Sequence, residues 1–228
     1  MREKVIVGLS AATGLLLIYN LYQMFMVLPD EAAQGAIFRI LFFHAPAAMT
    51  GIIGYFVALT MSVMYLSSGN LRWDSLAASV VEVSIVFSLV NIVTGTIWAR
   101  VIWGIWWTWD ARLTSALVAI LIFFGYLLVR QAIDEPTKRA RLSAALCLFG
   151  CVDNVIVWKS IEWFRTQHPS PVLDFRTGGG HMDPAYQRVF YLNFVAILLI
   201  ATILVLIRTQ QESSAREIDS LRRYANAI

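Results

Sequence analysis

The chain has 228 residues, of which 58% are hydrophobic and only 14% charged, far below the roughly 25% charged share of a soluble domain. That balance excludes a soluble globular enzyme and defines an integral membrane protein. The net charge of +3 and pI near 9.0 imply no nucleic acid partner, because the basic residues are scattered and form no basic stripe with interleaved aromatics.

Apolar runs of about 20 residues cross a hydrocarbon core of roughly 30 Å as helices. In chain order they fall at Val5 to Val27, Ala45 to Leu66, Leu76 to Trp98, Thr114 to Val129, Leu142 to Trp158 and Val189 to Ile207. Barrel strands would alternate apolar and polar residues, and these runs do not. The predicted fold is therefore an all-α, six-helix transmembrane bundle with a tryptophan-rich outer loop, a single domain over residues 1–228. The first run is long and no small-x-small cleavage site follows it, so it reads as a retained helix rather than a signal peptide.

Lysine and arginine bias sets orientation. With the N-terminus inside, Arg2, Lys4, Arg72, Arg130, Lys138, Arg139, Arg141, Arg208, Arg216, Arg222 and Arg223 are inner, while Arg39, Arg100, Arg112, Lys159, Arg165, Arg176 and Arg188 are outer. Both termini are thus expected to be cytoplasmic, although the outer face is more basic than the rule favours. The outer loops are expected at about 28–44, 99–113 and 159–188. The last contains "HPSPVLDFRTGGGHMDP", whose Pro and Gly punctuation predicts irregular structure. The inner connector "RQAIDEPTKRAR" and the polar tail 208–228, with its weak helical pattern, are assigned to anchoring or partner docking.

The stretch "WGIWWTWDARLTS", residues 103 to 115, places four tryptophans beside Asp110 and Arg112 on the outer face. If Trp103 to Asp110 continues as helix, Trp103, Trp106, Trp107 and Asp110 share one side as an apolar shelf with a carboxylate at its end; Trp109 completes the cluster. An interfacial aromatic belt is the competing reading. A belt, however, distributes its aromatics among helix ends, whereas here half of the eight tryptophans sit in one loop. A rigid apolar platform suits a flat conjugated ligand.

All three histidines of the chain, His44, His168 and His181, fall on the same outer side. Haem iron takes axial imidazoles and its macrocycle asks for an apolar pocket. Its propionates suit arginine, whose planar fork holds a carboxylate with two hydrogen bonds, and Arg39, Arg100, Arg112 and Arg165 lie near the shelf or a histidine. Structural ion pairs would equally explain each of these arginines. Glu82, Asp153 and Asn154 fall within the apolar runs, where an ionisable group is a functional candidate by default and interhelical pairing is the alternative. Cys147 and Cys151 read as buried small hydrophobes. The chain carries no Cys-x-x-Cys-His site, no nucleophile beside a base and no phosphate-binding glycine loop, so any nucleotide hydrolysis belongs to a partner.

The tryptophan string resembles the WWD signature of haem-handling proteins in cytochrome c biogenesis, and "RILFFHAPAA" and "SIEWFRTQH" resemble the histidine regions that flank it. The six-helix length narrows the resemblance to the CcmC, or haem exporter protein C, family. It implies that His44 and His168 are axial ligands to the iron of a non-covalent b-type haem, on a platform of Trp103, Trp106, Trp107, Trp109 and Asp110. Arg39, Arg112 and Glu162 lie in family-like neighbourhoods; His181 matches no family position and is an alternative second ligand. The resemblance further implies a bacterial inner membrane location, a periplasmic haem site, the transporter subunits CcmA and CcmB with CcmD as partners, and haem presentation to the chaperone CcmE by positioning. The alternatives are a membrane scaffold or a permease subunit without its own haem site.

Overall fold

The computed structural model describes residues 2–169 and 182–226. Among them six helices are long and apolar enough to cross a membrane: α1 (Arg2–Tyr22), α2 (Leu41–Ser68), α3 (Leu71–Ile102), α4 (Ala111–Ala132), α5 (Pro136–Trp163) and α6 (Pro184–Asn226). The all-α, six-span expectation holds, and the protein is a multi-pass membrane protein. Successive helices run in opposite directions, so His44, the end of α3, the tryptophan loop and the start of α6 gather at one end.

Three local expectations change. A 3-10 turn over Ala36–Ile40 leads directly into α2, so His44 lies inside a helix rather than in the loop before it. The shelf does not continue as helix: α3 ends at Ile102, and Gly104 follows at φ +76, a conformation that glycine adopts without a Cβ penalty. The polar tail is not separate, because α6 runs 43 residues without interruption. The stretch "QQESSAREIDSLRR" extends a helix already nucleated in the membrane, and ion pairs of Arg208 to Glu82 and Arg216 to Asp74 hold it against the bundle.

α2 is central and packs on α3, α5 and α6, whereas α1 lies outermost against α6. The α2–α3 approach is close because small residues face each other. A Cβ on Gly51 would stand 2.7 Å from Oγ of Ser88, and one on Gly54 would overlap Oγ of Ser84. In lipid, where no hydrophobic gain drives helix association, such small-residue seams let backbones pack. Deeper in the bundle, Tyr55 stacks on Phe123 with centroids 3.7 Å apart, in a core shared with Val81, Ile85 and Tyr126. The many exposed apolar side chains, among them Leu15, Val86, Leu121 and Phe149, form the lipid-facing surface.

The end opposite the histidines is held by charge. Buried Asp74 pairs with Arg130 at 2.6 Å and with Arg216 at 2.8 Å, and Glu212 approaches Arg130 at 3.7 Å and Arg216 at 3.4 Å. Glu82 accepts from Arg208. The tail residues Arg208, Glu212 and Arg216 therefore close the bundle, and Glu82 serves interhelical pairing, the alternative set beside its functional reading. Asp153 is different: its Oδ2 is buried and has no hydrogen-bond partner among the described residues. Asn154 donates to the carbonyl of Gly150 at 3.0 Å.

Candidate functional site

His44 stands one turn into α2, two residues before Pro46. A proline within a helix removes the N–H that would bond the carbonyl four residues back, here that of Phe42. Nδ2 of buried Asn193 on α6 donates to that carbonyl instead, which ties α6 to the turn carrying His44. The ring itself is cradled by α3. Nδ1 of His44 lies 3.0 Å from the backbone oxygen of Asn91 and 3.1 Å from Oγ1 of Thr94. A carbonyl only accepts, so Nδ1 carries the proton and Nε2 keeps its lone pair. Nδ2 of Asn91 is 3.2 Å from either ring nitrogen. Gly95 makes the room: a Cβ there would meet Cε1 of His44 at 2.8 Å.

His168 reaches the same place from the segment after α5. The two imidazole centroids are 6.4 Å apart with planes 28° from parallel. Nδ1 of His168 donates to the oxygen of Pro169 at 2.9 Å, so this ring too presents Nε2. Burial, and then the neighbouring Arg112 guanidinium, lowers its pKa from the ordinary histidine value. Both effects favour the neutral ring, the form that ligates metal. His181 lies outside the described residues.

Arg112, at the first turn of α4, donates to the carbonyl of Val157 and forms no ion pair among the described residues. It lines a cavity of about 30 Å³ with Tyr55, Ser88, Asn91 and Asn154. A mostly buried guanidinium with Asp110 nearby but no carboxylate in salt-bridge contact among the described residues is costly, and an anionic ligand group would offset that cost. Arg39 differs, because its three nitrogens each donate a bond, to the carbonyls of Met24 and Leu28 and to Asp30. Arg100 donates to Gly104 and sits 6.0 Å from the Trp106 ring. Glu162 pairs with Lys159 at 2.9 Å.

The tryptophans divide by exposure. Trp103 packs edge-on against Trp98 with centroids 5.0 Å apart, and Trp107 against Trp109 at 5.8 Å. Trp98 donates to Gln34 at 2.8 Å, latching the first outer loop to α3. Trp106 and Trp109 are 59% and 77% exposed, too open to serve as core, so the loop presents apolar surface outward. Nε1 of Trp107 and Oγ1 of Thr108 are buried without hydrogen-bond partners among the described residues, an arrangement that native proteins avoid unless something else satisfies the group. Asp110 caps α4 and bonds the His168 segment.

The residues present fit a haem. The donor set carries the fit, because imidazole nitrogens are ordinary ligands of haem iron and the Arg112 guanidinium beside His168 suits an anionic group. Sequence reasoning missed Asn91, Thr94, Gly95 and Thr166. The first three were detectable as a polar and small stripe at i, i+3 and i+4 in an otherwise apolar helix; Thr166 carried no signal.

Fold and site define a polytopic α-helical membrane protein with paired imidazoles beside an exposed tryptophan loop. Residues 1–224 match the family model for CcmC, "Heme exporter protein C". The "Heme exporter protein C" of Bradyrhizobium diazoefficiens is 34% identical over 97% of this chain and 84% of its own length. That of Escherichia coli K12 is 30% identical over 79% of this chain and 72% of its own. A "Putative cytochrome c biosynthesis ccmC-like mitochondrial protein" of Marchantia polymorpha is 27% identical over 84% and 80%. The chain belongs to the haem exporter protein C family.

Proposed function

We propose that this chain binds a non-covalent b-type haem at the periplasmic face of a bacterial inner membrane and presents it for cytochrome c maturation. The observation that carries the reading is the His44–His168 pair, 6.4 Å between centroids, each ring anchored through Nδ1, with the Asn91 amide 3.2 Å from Nε2 of His44. The other ring nitrogen of a metal-bound histidine is ordinarily held in just this way.

Each residue then has a role. His44 and His168 would hold the haem iron through their imidazoles, and the Asn91 amide, 3.2 Å from Nε2 of His44, orients that ring. Trp103, Trp106, Trp107 and Trp109 form the apolar platform. Arg112 receives a propionate. Arg39 acts through structure, holding the loop before α2 by its bonds to Met24, Leu28 and Asp30. The exposed faces of Trp106 and Trp109 leave one side open to a periplasmic chaperone of the CcmE type, and the chain contributes orientation rather than covalent chemistry. CcmA, CcmB and CcmD are the expected partners, with both termini of this chain on the cytoplasmic side.

The test is the visible spectrum of the purified chain, with haem stoichiometry by pyridine haemochrome, for wild type, His44→Ala and His168→Ala. A low-spin spectrum changed in each mutant is expected. A chain that fails to bind added haem even with its partners present would leave the tryptophan loop as an interface and favour the scaffold reading.

A further inference from the structure

Asp110 uses both carboxylate oxygens, for different purposes. Oδ1 accepts the backbone N–H of Leu113 at 2.9 Å, an N-cap of α4. Oδ2 is not needed for that cap. It accepts from Oγ1 of Thr166 at 2.5 Å and from the backbone N–H of Gln167 at 3.2 Å. With its own proton given to Asp110, Oγ1 of Thr166 accepts the backbone N–H of His168 at 3.1 Å. A chain of hydrogen bonds thus runs from the tryptophan loop to the backbone of the second histidine.

The segment needs such a hold. α5 ends at Trp163, and residues 165–169 have no helix or strand to fix them. The described hydrogen bonds that tie this stretch to the rest of the bundle both end on Oδ2 of Asp110. Ligating constellations require positioning to within about 0.5 Å, which loops supply poorly unless a supporting shell locks them. Bonds to an ionised carboxylate are among the stronger ones available. The cap alone does not call for aspartate, since serine or asparagine caps as well; accepting from two further donors does.

We propose that Asp110 is the positioning residue for the second haem ligand, its Oδ2 acting through Thr166 and Gln167 to set His168 opposite His44. This rests on the haem reading above. It gives the aspartate of the tryptophan string a task separate from the platform.

Asp110→Asn isolates that task, because the amide oxygen keeps the cap while Nδ2 faces the Gln167 donor and cannot accept from it. Thr166→Val leaves Asp110 and its cap intact and serves if the first variant folds poorly. Two measurements on the full chain are needed. In the haem-free protein, hydrogen exchange over residues 164–169 is expected to accelerate in both variants. On titration with hemin, both are expected to lose affinity by roughly 10- to 100-fold, as for other supporting-shell mutations, and to shift from six-coordinate low-spin to five-coordinate high-spin. Added imidazole should restore the low-spin spectrum. In a His168→Ala background, Asp110→Asn should have no further effect, the non-additivity expected of residues acting through one another.

Unchanged spectrum and affinity in Asp110→Asn, with His168→Ala altered, would overturn this inference alone. So would an equal loss in both backgrounds, which assigns Asp110 to the platform. A His168→Ala chain with the wild-type spectrum would overturn the haem reading and this role together, while accelerated exchange in Asp110→Asn would still reveal the clamp as a purely structural one.

Discussion

Gly95→Ala adds a single methyl group where α3 meets His44. The new Cβ would stand 2.8 Å from Cε1 and 3.4 Å from Nδ1 of the imidazole, whereas carbon atoms rest at about 3.5 to 4.0 Å. The ring must therefore retreat by roughly 0.7 to 1.2 Å, more than the ~0.5 Å tolerance of a ligating constellation. The bonds of Nδ1 to Asn91 and Thr94 would break with that movement. Overpacking costs about 1 to 3 kcal/mol, and alanine returns about 1 kcal/mol of helix propensity over glycine, so net destabilisation stays at about 0 to 2 kcal/mol. Haem affinity should fall much further, by roughly 10- to 100-fold. The assay is hemin titration of the purified chain beside its thermal or detergent unfolding. Gly125→Ala is the control, because no described residue lies within 4 Å of a Cβ there. A Gly95→Ala chain with wild-type affinity and spectrum would refute the seating of His44 against α3.

Asn193→Leu should destabilise by about 1 to 3 kcal/mol, because it leaves the Phe42 carbonyl without a donor; in a Pro46→Ala background, where the backbone N–H returns, the cost should shrink, as a double-mutant cycle in detergent unfolding will read. At the other end, Asp74→Asn removes the carboxylate shared by Arg130 and Arg216, and breaking a buried pair of this kind costs about 3 to 5 kcal/mol; unfolding measurements should find that loss with the haem spectrum unchanged. Titration of the haem-free chain by histidine NMR should give His168 a midpoint below the ordinary value of about 6.5, rising in Arg112→Gln as the cationic neighbour is lost. The sign follows from linkage: the unfolded chain takes up the proton first, so the stability contributed by neutral His168 is complete above about pH 6.5 and declines as pH falls toward the depressed folded value. A midpoint at or above that of free histidine would contradict the burial of the ring.

The membrane class and the number of helices were legible because lipid demands long uninterrupted apolar runs, and such runs are visible residue by residue. Helix ends were less so. The turn at Ala36–Ile40 and the extension of α6 past Arg208 involve amphipathic or polar residues whose helicity depends on what they pack against. The tryptophan string pointed to the site, but its helical continuation was wrong, since Gly104 turns the chain immediately after Trp103.

Sequence by itself determined that six apolar helices cross a membrane and that tryptophans, arginines and histidines are candidates for one outer site, since hydropathy and residue chemistry are local properties. Only the tertiary structure decided which of them meet. It brought His44 and His168 together and turned Arg39 toward backbone carbonyls while leaving Arg112 without an ion pair among the described residues. It also gave Asp110 a partner 56 residues away. Hydrogen-bond partners and ring separations depend on helix crossing and on where each loop is tied, which no single stretch of the chain encodes.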